Sequence, residues 1–188
     1  VQLAGTALGN LIIGKTGNSS TININSPIAV SNDISIYSGE LTANNNITSN
    51  NSGSDILFSS SNIALNAPIT STGTSTVTIN SSGNVIDGIN GSFVGKIIST
   101  NLLLTGNGNF NLDSTTNNVS IISAGSNASR LGSLNFTNSN ALVVGSVGSN
   151  SGIYTTGTIA ISTLTGDLSV SQNINTQNTS TTALIPVS

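Results

Sequence analysis

The chain of 188 residues contains no Cys, His, Met or Trp, and only three basic and six acidic residues. Without Cys there can be no disulfide bond and no thiolate metal site. Without His or Cys, the usual nucleophile–base pairs of hydrolytic enzymes are also absent. Three basic residues cannot form a phosphate-binding stripe, so we expect no nucleic-acid partner. The three are Lys15, Lys96 and Arg130.

Long hydrophobic runs are also missing. No stretch approaches the roughly 18 to 20 apolar residues that a membrane-spanning helix needs, so we expect no membrane span. No basic segment followed by an apolar segment marks a signal peptide. The sequence starts at Val1 within a repeating pattern, from which we expect a section of a longer chain.

Short uncharged polar residues take the place of charge. Together 29 Asn, 33 Ser and 24 Thr account for 86 of the 188 residues, while only 5% are charged. A typical globular chain is about a quarter charged, so amides and hydroxyls must provide solubility here. Disordered chains combine low hydrophobicity with high net charge. This chain is 36% hydrophobic with a net charge of −3, so it can bury a core.

Apolar residues occur mainly as i, i+2 pairs, such as Ile34/Ile36 and Ile56/Phe58, separated by clusters of Gly, Asn, Ser and Asp. Alternation with a period of two indicates strands, and the polar clusters indicate turns. No segment sustains the i, i+3, i+4, i+7 spacing of an amphipathic helix. The pattern predicts an all-β protein.

One repeat defines the architecture. The segment "DISIYSGELTANNNITS" (33–49) aligns without a gap with "DILFSSSNIALNAPITS" (55–71), at an offset of 22 residues. A fixed period of about 20 to 50 residues is typical of repeat folds, and these strands are shorter than the roughly five to six residues of an average strand. We predict one domain over 1–188, a single-stranded parallel β-helix (β-solenoid) with about 22 residues per coil. Eight to nine coils would give a rod roughly 40 Å long, with looser loops near 87–101 and 124–133.

A second match supports the repeat. The segment "LIIGKTGNSSTI" (11–22) aligns with "LVVGSVGSNSGI" (142–153) at an offset of 131, close to six coils of 22 residues. After the first two repeats, we expect the next coil to open with Val77 and Ile79, one residue early. The aligned repeats also predict nine core positions that stack on one another in neighbouring coils: Ile34, Ile36, Leu41, Ile47, Ile56, Phe58, Ile63, Leu65 and Ile69.

Polar positions of the repeat predict a ladder and a corner. Asn44 lies one coil below Asn66, and stacked amides form ladders of side-chain hydrogen bonds. Asp33 and Asp55 each precede a strand, where Asp usually bonds to the backbone of its own turn. Like charges stacked one strand spacing apart repel, which explains why the chain carries so few.

Two long segments resemble the shaft of filamentous haemagglutinin-type exoproteins, the adhesins of two-partner secretion. They are "GNLIIGKTGNSSTININSPIAVSNDISIYSGELTANNNITS" (9–49) and "GSLNFTNSNALVVGSVGSNSGIYTTGTIAISTLTGDLSVSQNINT" (132–176). The resemblance implies a right-handed β-helix exported through an outer-membrane partner to a bacterial cell surface or the medium. The chain has no Asn-Pro motif, which the family's secretion domain carries, so the resemblance points to the shaft.

Other functions leave weaker marks. A β-helical polysaccharide lyase or hydrolase needs clustered acids, and only Asp33 and Asp55 of the six carboxylates share a register. We therefore expect no enzyme activity, no cofactor, and no catalytic, cofactor-binding or metal-binding residue. A carbohydrate-binding solenoid is an alternative. An ice-binding solenoid is another, suggested by Thr-x-Thr steps at 74–78, 156–158 and 163–165, but these steps are irregularly spaced.

These observations favour a structural and adhesive function. We expect a stiff shaft segment of a secreted or surface-bound bacterial filamentous adhesin, which attaches cells to surfaces or to one another. Exposed Asn, Ser and Thr would bind weakly and many times over, with surface glycans of host or neighbouring cells as candidate ligands. Exposed strand edges at the ends also predict end-to-end or lateral self-association into filaments.

Overall fold

The computed structural model describes residues 9–88 and 95–177, together with the backbone of 183–186, and it is all-β. Within those residues no helix is long and apolar enough to cross a membrane. The chain winds through short strands that lie in three stacks, called here the first, second and third stack. Each circuit of the stacks is one coil.

The strands are short in the first three coils and longer in the next three. The first coils comprise β1 (Leu11–Gly14), β2 (Thr21–Ile24), β3 (Ile28–Val30), β4 (Ile34–Tyr37), β5 (Glu40–Ala43), β6 (Ile47–Ser49), β7 (Ile56–Ser60), β8 (Asn62–Leu65) and β9 (Pro68–Ser71). The middle coils comprise β10 (Thr76–Ser81), β11 (Asn84–Ile86), β12 (Lys96–Thr105), β13 (Asn109–Leu112), β14 (Asn118–Ala124) and β15 (Ser133–Asn138). The last coils comprise β16 (Leu142–Val144), β17 (Ser146–Val147), β18 (Asn150–Ser151), β19 (Ile153–Thr155), β20 (Ile159–Thr163), β21 (Leu168–Val170), β22 (Ile174–Thr176) and β23 (Ala183–Pro186).

Parallel pairing links equivalent strands of successive coils. The first stack runs β1-β4-β7-β10-β12-β14-β16-β21 and the second runs β2-β5-β8-β11-β13-β15-β20-β23. The third stack, β3-β6-β9, joins the first through β12, and β19 with β22 extends the first stack beside β14. Eight strands in each long stack give about seven turns, near the eight to nine predicted, and a length of about 34 Å at roughly 4.8 Å per strand.

The register confirms the 22-residue stacking of the second and third coils. Ile34 pairs with Ile56, Leu41 with Ile63 and Ile47 with Ile69, and these three pairs come from three different strands of the coil. The next coil opens as predicted, because Val77 pairs with Ile56 and Ile79 pairs with Phe58. The apolar positions of one coil therefore lie directly over those of the coil below.

Later coils are longer, which explains why fewer of them fit. Val77 pairs with Leu102, 25 positions on, and Leu142 pairs with Leu168, 26 positions on. The long-range match also shifts. β1 and β16 lie six strands apart in the first stack, as predicted, but the column that starts at Leu11 reaches Val144 and not Leu142.

The two predicted loops have different outcomes. Part of the stretch 87–101 is strand: β12 pairs first with β9 and then with β10, because it passes from the third to the first stack without a turn. The loop prediction is wrong for 96–101, and 89–94 lie outside the described residues. Between Ala124 and Ser133 the only pairing is an isolated bridge from Leu131 to Thr155. The hairpin β17–β18, unpredicted, leaves the coil between Ser146 and Ser151.

The core is a continuous column of aliphatic and aromatic side chains inside the stacks. Its largest members are Phe58, Phe110 and Phe136, each no more than 1% exposed. Burying such a side chain stabilises a fold by roughly 3 kcal/mol. Because each coil packs only on its two neighbours, stability is a sum of nearest-neighbour contacts. At the first coil, where only one neighbour is described, Leu11 and Ile13 are only half-buried.

Candidate functional site

The predicted core residues all lie inside the solenoid. None of the nine is more than 2% exposed: Ile34, Ile36, Leu41, Ile47, Ile56, Phe58, Ile63, Leu65 and Ile69. They belong to the interior column, so whatever chemistry the molecule performs must come from the polar groups around it.

The predicted amide ladder is present and one step longer than expected. Asn66 Nδ2 donates to Asn44 Oδ1 at 2.8 Å, and Asn44 Nδ2 donates to Asn25 Oδ1 at 2.9 Å. The ladder ends at Asn66, because its Oδ1 is buried without a partner. Asn25 escaped the sequence alignment because it lies 19 residues before Asn44 instead of 22.

Asp33 and Asp55 lie at one corner, but their bonding partners differ from the expectation. Asp33 Oδ1 accepts the Asp55 N–H at 2.9 Å, and Asp55 Oδ1 accepts the Thr76 N–H at 2.8 Å. The predicted bond to the residue's own turn gives way to a bond with the next coil. The physical reason is that parallel stacking places the next corner's N–H only one strand spacing away. These carboxylates link coils and form no metal site.

A second polar ladder, which the sequence did not reveal, runs along the outer surface of the second stack. Its members are one per coil over five coils, joined by side-chain bonds of 2.8 to 3.4 Å: Glu40, Asn62, Asn84, Asn109 and Ser133. The steps between them are 22, 22, 25 and 24 residues. A search that tolerated coils longer than 22 residues would have found them.

The most deeply buried polar cluster surrounds Asp87, which is 2% exposed. Its carboxylate accepts the Asn117 Nδ2 at 2.7 Å and the Ser114 N–H at 3.1 and 3.2 Å. Burial raises the pKa of Asp87 from 3.8 to about 7, the two hydrogen bonds lower it, and the neighbouring Asp113 raises it. The cluster ties the β13–β14 turn to the preceding coil.

Two buried asparagines take the place of missing strand pairs. Asn138 is fully buried, and its Oδ1 accepts the Val119 N–H while its Nδ2 donates to the Val119 carbonyl, both at 2.9 Å. The same Nδ2 also donates to the carbonyls of Asn140 and Ala141. A side-chain amide offers one donor group and one acceptor, like a peptide unit. Asn117 does the same for the Ile97 N–H at 2.7 Å.

Arg130 fastens the 125–132 loop to the last coils. Its guanidinium donates to the Asn127 Oδ1 at 2.7 Å, to the Asn175 Oδ1 at 2.9 Å and to the Thr155 carbonyl at 3.2 Å. It also lies 5.5 Å from the centre of the Tyr154 ring, within cation–π range. These contacts use the guanidinium fully for structure.

The acidic residues do not gather into one group. In the described part of the chain, no three His, Cys, Asp or Glu side chains come close enough to hold a metal ion. Asp33 stacks below Asp55 and Asp113 neighbours Asp87, so the acids meet in twos. The Thr-x-Thr steps do not stack either, since Thr78 pairs with Leu57 on one side and Leu103 on the other.

A groove runs along the corner between the first and second stacks and is called here the corner groove. It has a volume of about 670 Å³ and is lined by residues of five successive coils, between Gly17 and Asn107. Its floor contains small residues because neighbouring corners approach closely. A Cβ atom added to Gly39 would lie 2.2 Å from the Ser19 carbonyl oxygen. A side chain cannot fill this corner, so a trough remains.

Comparisons with protein-family models, with curated proteins and with solved structures give no match to the chain.

Proposed function

We propose that the chain is a structural and adhesive shaft segment of a secreted or surface-bound bacterial filamentous adhesin. The observation that carries the proposal is the unbroken stacking of eight parallel strands in each of the two long stacks. Every coil bonds to its neighbours along the rod axis, so bending or stretching the rod must break many backbone hydrogen bonds together. Such a solenoid suits a spacer that holds a binding surface away from a cell.

The polar ladders support the same role. Rows of Asn and Ser hydrogen bonds connect coils on the outer surface without placing like charges one strand spacing apart. They add links between coils beyond the backbone pairing and leave the surface neutral and hydrated. A neutral hydrated surface is suited to weak, repeated contacts with other surfaces.

The first coil presents an end face that fits another coil. Leu11, Ile13 and Ile28 are half-buried and, with Ile24, line a cavity of about 340 Å³. Among residues 9–88 and 95–177 nothing packs on the outer side of β1–β3. An uncovered strand edge with apolar side chains templates the addition of further strands. We therefore include end-to-end stacking of solenoids in the proposal.

A matched pair of variants tests the end-to-end stacking. Ile13 belongs to the end-face cavity, whereas Ile12 in the same strand points sideways and is 63% exposed. Ile13→Lys places a charge in the stacking surface and should leave monomers in sedimentation equilibrium, while Ile12→Lys should associate like the unmodified chain. Equal association of both variants would contradict end-face stacking.

The adhesive part of the proposal needs its own assay. Microspheres coated with the chain should remain on bacterial or epithelial cell layers under flow more often than microspheres coated with a globular protein of the same net charge. Retention should rise steeply with coating density, because weak single contacts need multivalency. Retention equal to that of the control at all densities would refute the adhesive role and leave the rod unaffected.

A further inference from the structure

The corner groove combines a shape and a chemistry that the role of a rod does not require. It follows the axis of the solenoid and crosses five coils, so its length is about 19 Å between the first and last at roughly 4.8 Å per strand. A trough of this form fits an extended chain molecule that runs parallel to the rod.

We propose that the corner groove binds a neutral, extended, β-1,4-linked oligosaccharide, with about one sugar residue on each coil. The strand spacing of about 4.8 Å is close to the length of one sugar residue in such a chain. The coils can therefore repeat the same contact from one sugar residue to the next. The inference goes beyond the shaft function and does not depend on it.

Four successive coils each offer one polar side chain that has no hydrogen bond within the described residues. These side chains line the groove in the order Tyr37, Ser61, Ser82 and Asn107. Hydroxyl and amide groups both donate and accept hydrogen bonds, as the hydroxyl groups of a sugar require. Their one-per-coil placement is the observation that specifies a repeating ligand.

The two walls of the groove supply complementary contacts. Tyr37 pairs with Gly14 on one side and Ser59 on the other, so no large side chain of a neighbouring coil covers its ring. A half-buried tyrosine ring offers an apolar face with a polar tip, which suits the C–H face of a pyranose. On the other wall, Glu40 is exposed and accepts a hydrogen bond from Asn62 through Oε1, which leaves acceptor capacity for sugar hydroxyls.

The floor of the groove argues against a peptide ligand. A peptide that adds as a strand needs free backbone groups. Here the Gly39 N–H bonds to the Ser20 carbonyl at 2.9 Å, and the Ser61 N–H bonds to the Gly39 carbonyl at 2.8 Å. The next coil continues this pairing, since the Gly83 N–H bonds to the Ser61 carbonyl at 2.6 Å.

The charge of the lining argues against an anionic ligand. No Lys or Arg lines the groove, and its one charged side chain is Glu40. Sulfated or phosphorylated polymers are held mainly by basic side chains, which this surface does not offer. The lining therefore favours a neutral sugar chain.

The absence of Trp and the presence of only two Tyr make a direct assay possible. Tyr154→Phe keeps an aromatic ring beside Arg130 and leaves Tyr37 as the single tyrosine fluorophore. We expect cellotetraose, chitotetraose or β-1,4-mannotetraose to change the Tyr37 fluorescence saturably, with a Kd of about 1 mM or lower. The corresponding disaccharide should bind at least about tenfold more weakly, because it spans fewer coils.

Variants separate the groove from the rest of the surface. In calorimetric titrations Tyr37→Ala should weaken binding by about tenfold or more, and Asn107→Ala, which loses no internal side-chain bond, should weaken it several-fold. Ser35→Ala, in the same strand as Tyr37 but outside the groove lining, should leave the affinity unchanged. Failure of all three tetrasaccharides to bind, or binding that survives both groove variants, would overturn the proposal. Neither result bears on the shape of the rod.

Discussion

Replacing Asn138 with Ala should destabilise the protein far more than replacing another Asn of the same strand. The buried Asn138 amide bonds to the Val119 N–H and to three carbonyl oxygens, at distances of 2.9 to 3.2 Å. Asn138→Ala leaves these groups without that partner. Each buried backbone group that loses its only partner costs about 1–3 kcal/mol. With the N–H and carbonyl of Val119 both affected, the expected loss is about 2–5 kcal/mol.

The matched control is Asn135→Ala. Asn135 lies in the same strand, is half-buried, and makes one side-chain bond of 2.7 Å, from its Nδ2 to the Asn111 Oδ1. Loss of one partly exposed hydrogen bond costs about 0.5–1.5 kcal/mol. Equilibrium unfolding in urea measures both changes, provided that the slope with denaturant stays the same. Equal losses in the two variants would refute the idea that the Asn138 amide stands in for a missing strand.

Asn138→Asp refines this test without changing the size of the side chain. The carboxylate still accepts the Val119 N–H, but it has no donor for the carbonyls of Val119, Asn140 and Ala141. At neutral pH we expect a loss at least as large as that of the Ala variant. Part of the stability should return in acid, where the carboxyl gains one donor. A variant as stable as the unmodified chain at neutral pH would show that these donor contacts contribute little.

Three further predictions concern burial, pH and close packing. Phe58→Ala empties a fully buried position and should lose about 3–5 kcal/mol in the same unfolding assay; a loss below about 1 kcal/mol would mean that the core does not pack there as described. Because burial raises the pKa of Asp87 to about 7, the folded state keeps a proton that the unfolded state releases, so stability should fall as pH rises from about 4 to about 7, by roughly 1.4 kcal/mol per pKa unit. Asp87→Asn should remove this fall, and an unchanged pH profile would contradict the assignment to Asp87. Gly108→Ala should lose about 1–3 kcal/mol or more, since its Cβ would lie 2.1 Å from the Gly83 carbonyl oxygen, whereas Gly9→Ala has open space; equal melting temperatures for the two would refute the close approach.

The sequence was sufficient to predict the fold class because the inward positions repeat. Ile34, Ile56 and Val77 stack at steps of 22 and 21 residues, and period-two alternation marks each strand. The number of coils was less predictable. Later corners contain extra residues, so coil length varies while the apolar alternation continues, as at β12, which passes between two stacks without a polar break.

The polar interior could not be predicted from a local pattern. Asn117 and Asn138 look like two more Asn in a sequence that has 29. Their importance comes from burial beside backbone groups that no strand reaches, which depends on how the coils close. The corner groove is equally non-local. Tyr37 and Asn107 are 70 positions apart in the chain and meet one surface only because the corners stack.

The central claim, that the coils stack at one strand spacing along a continuous rod, can be tested by distance measurements between spin labels. The chain has no Cys, so labels attach only where Cys is introduced. Thr42, Asn135 and Ala160 belong to one outward column of the second stack, with Asn135 four strands and Ala160 five strands from Thr42. Electron double resonance should give narrow distributions near about 19 Å for the 42/135 pair and about 24 Å for the 42/160 pair. Broad distributions, or distances that do not increase by one strand spacing, would contradict the solenoid and every inference built on its stacking.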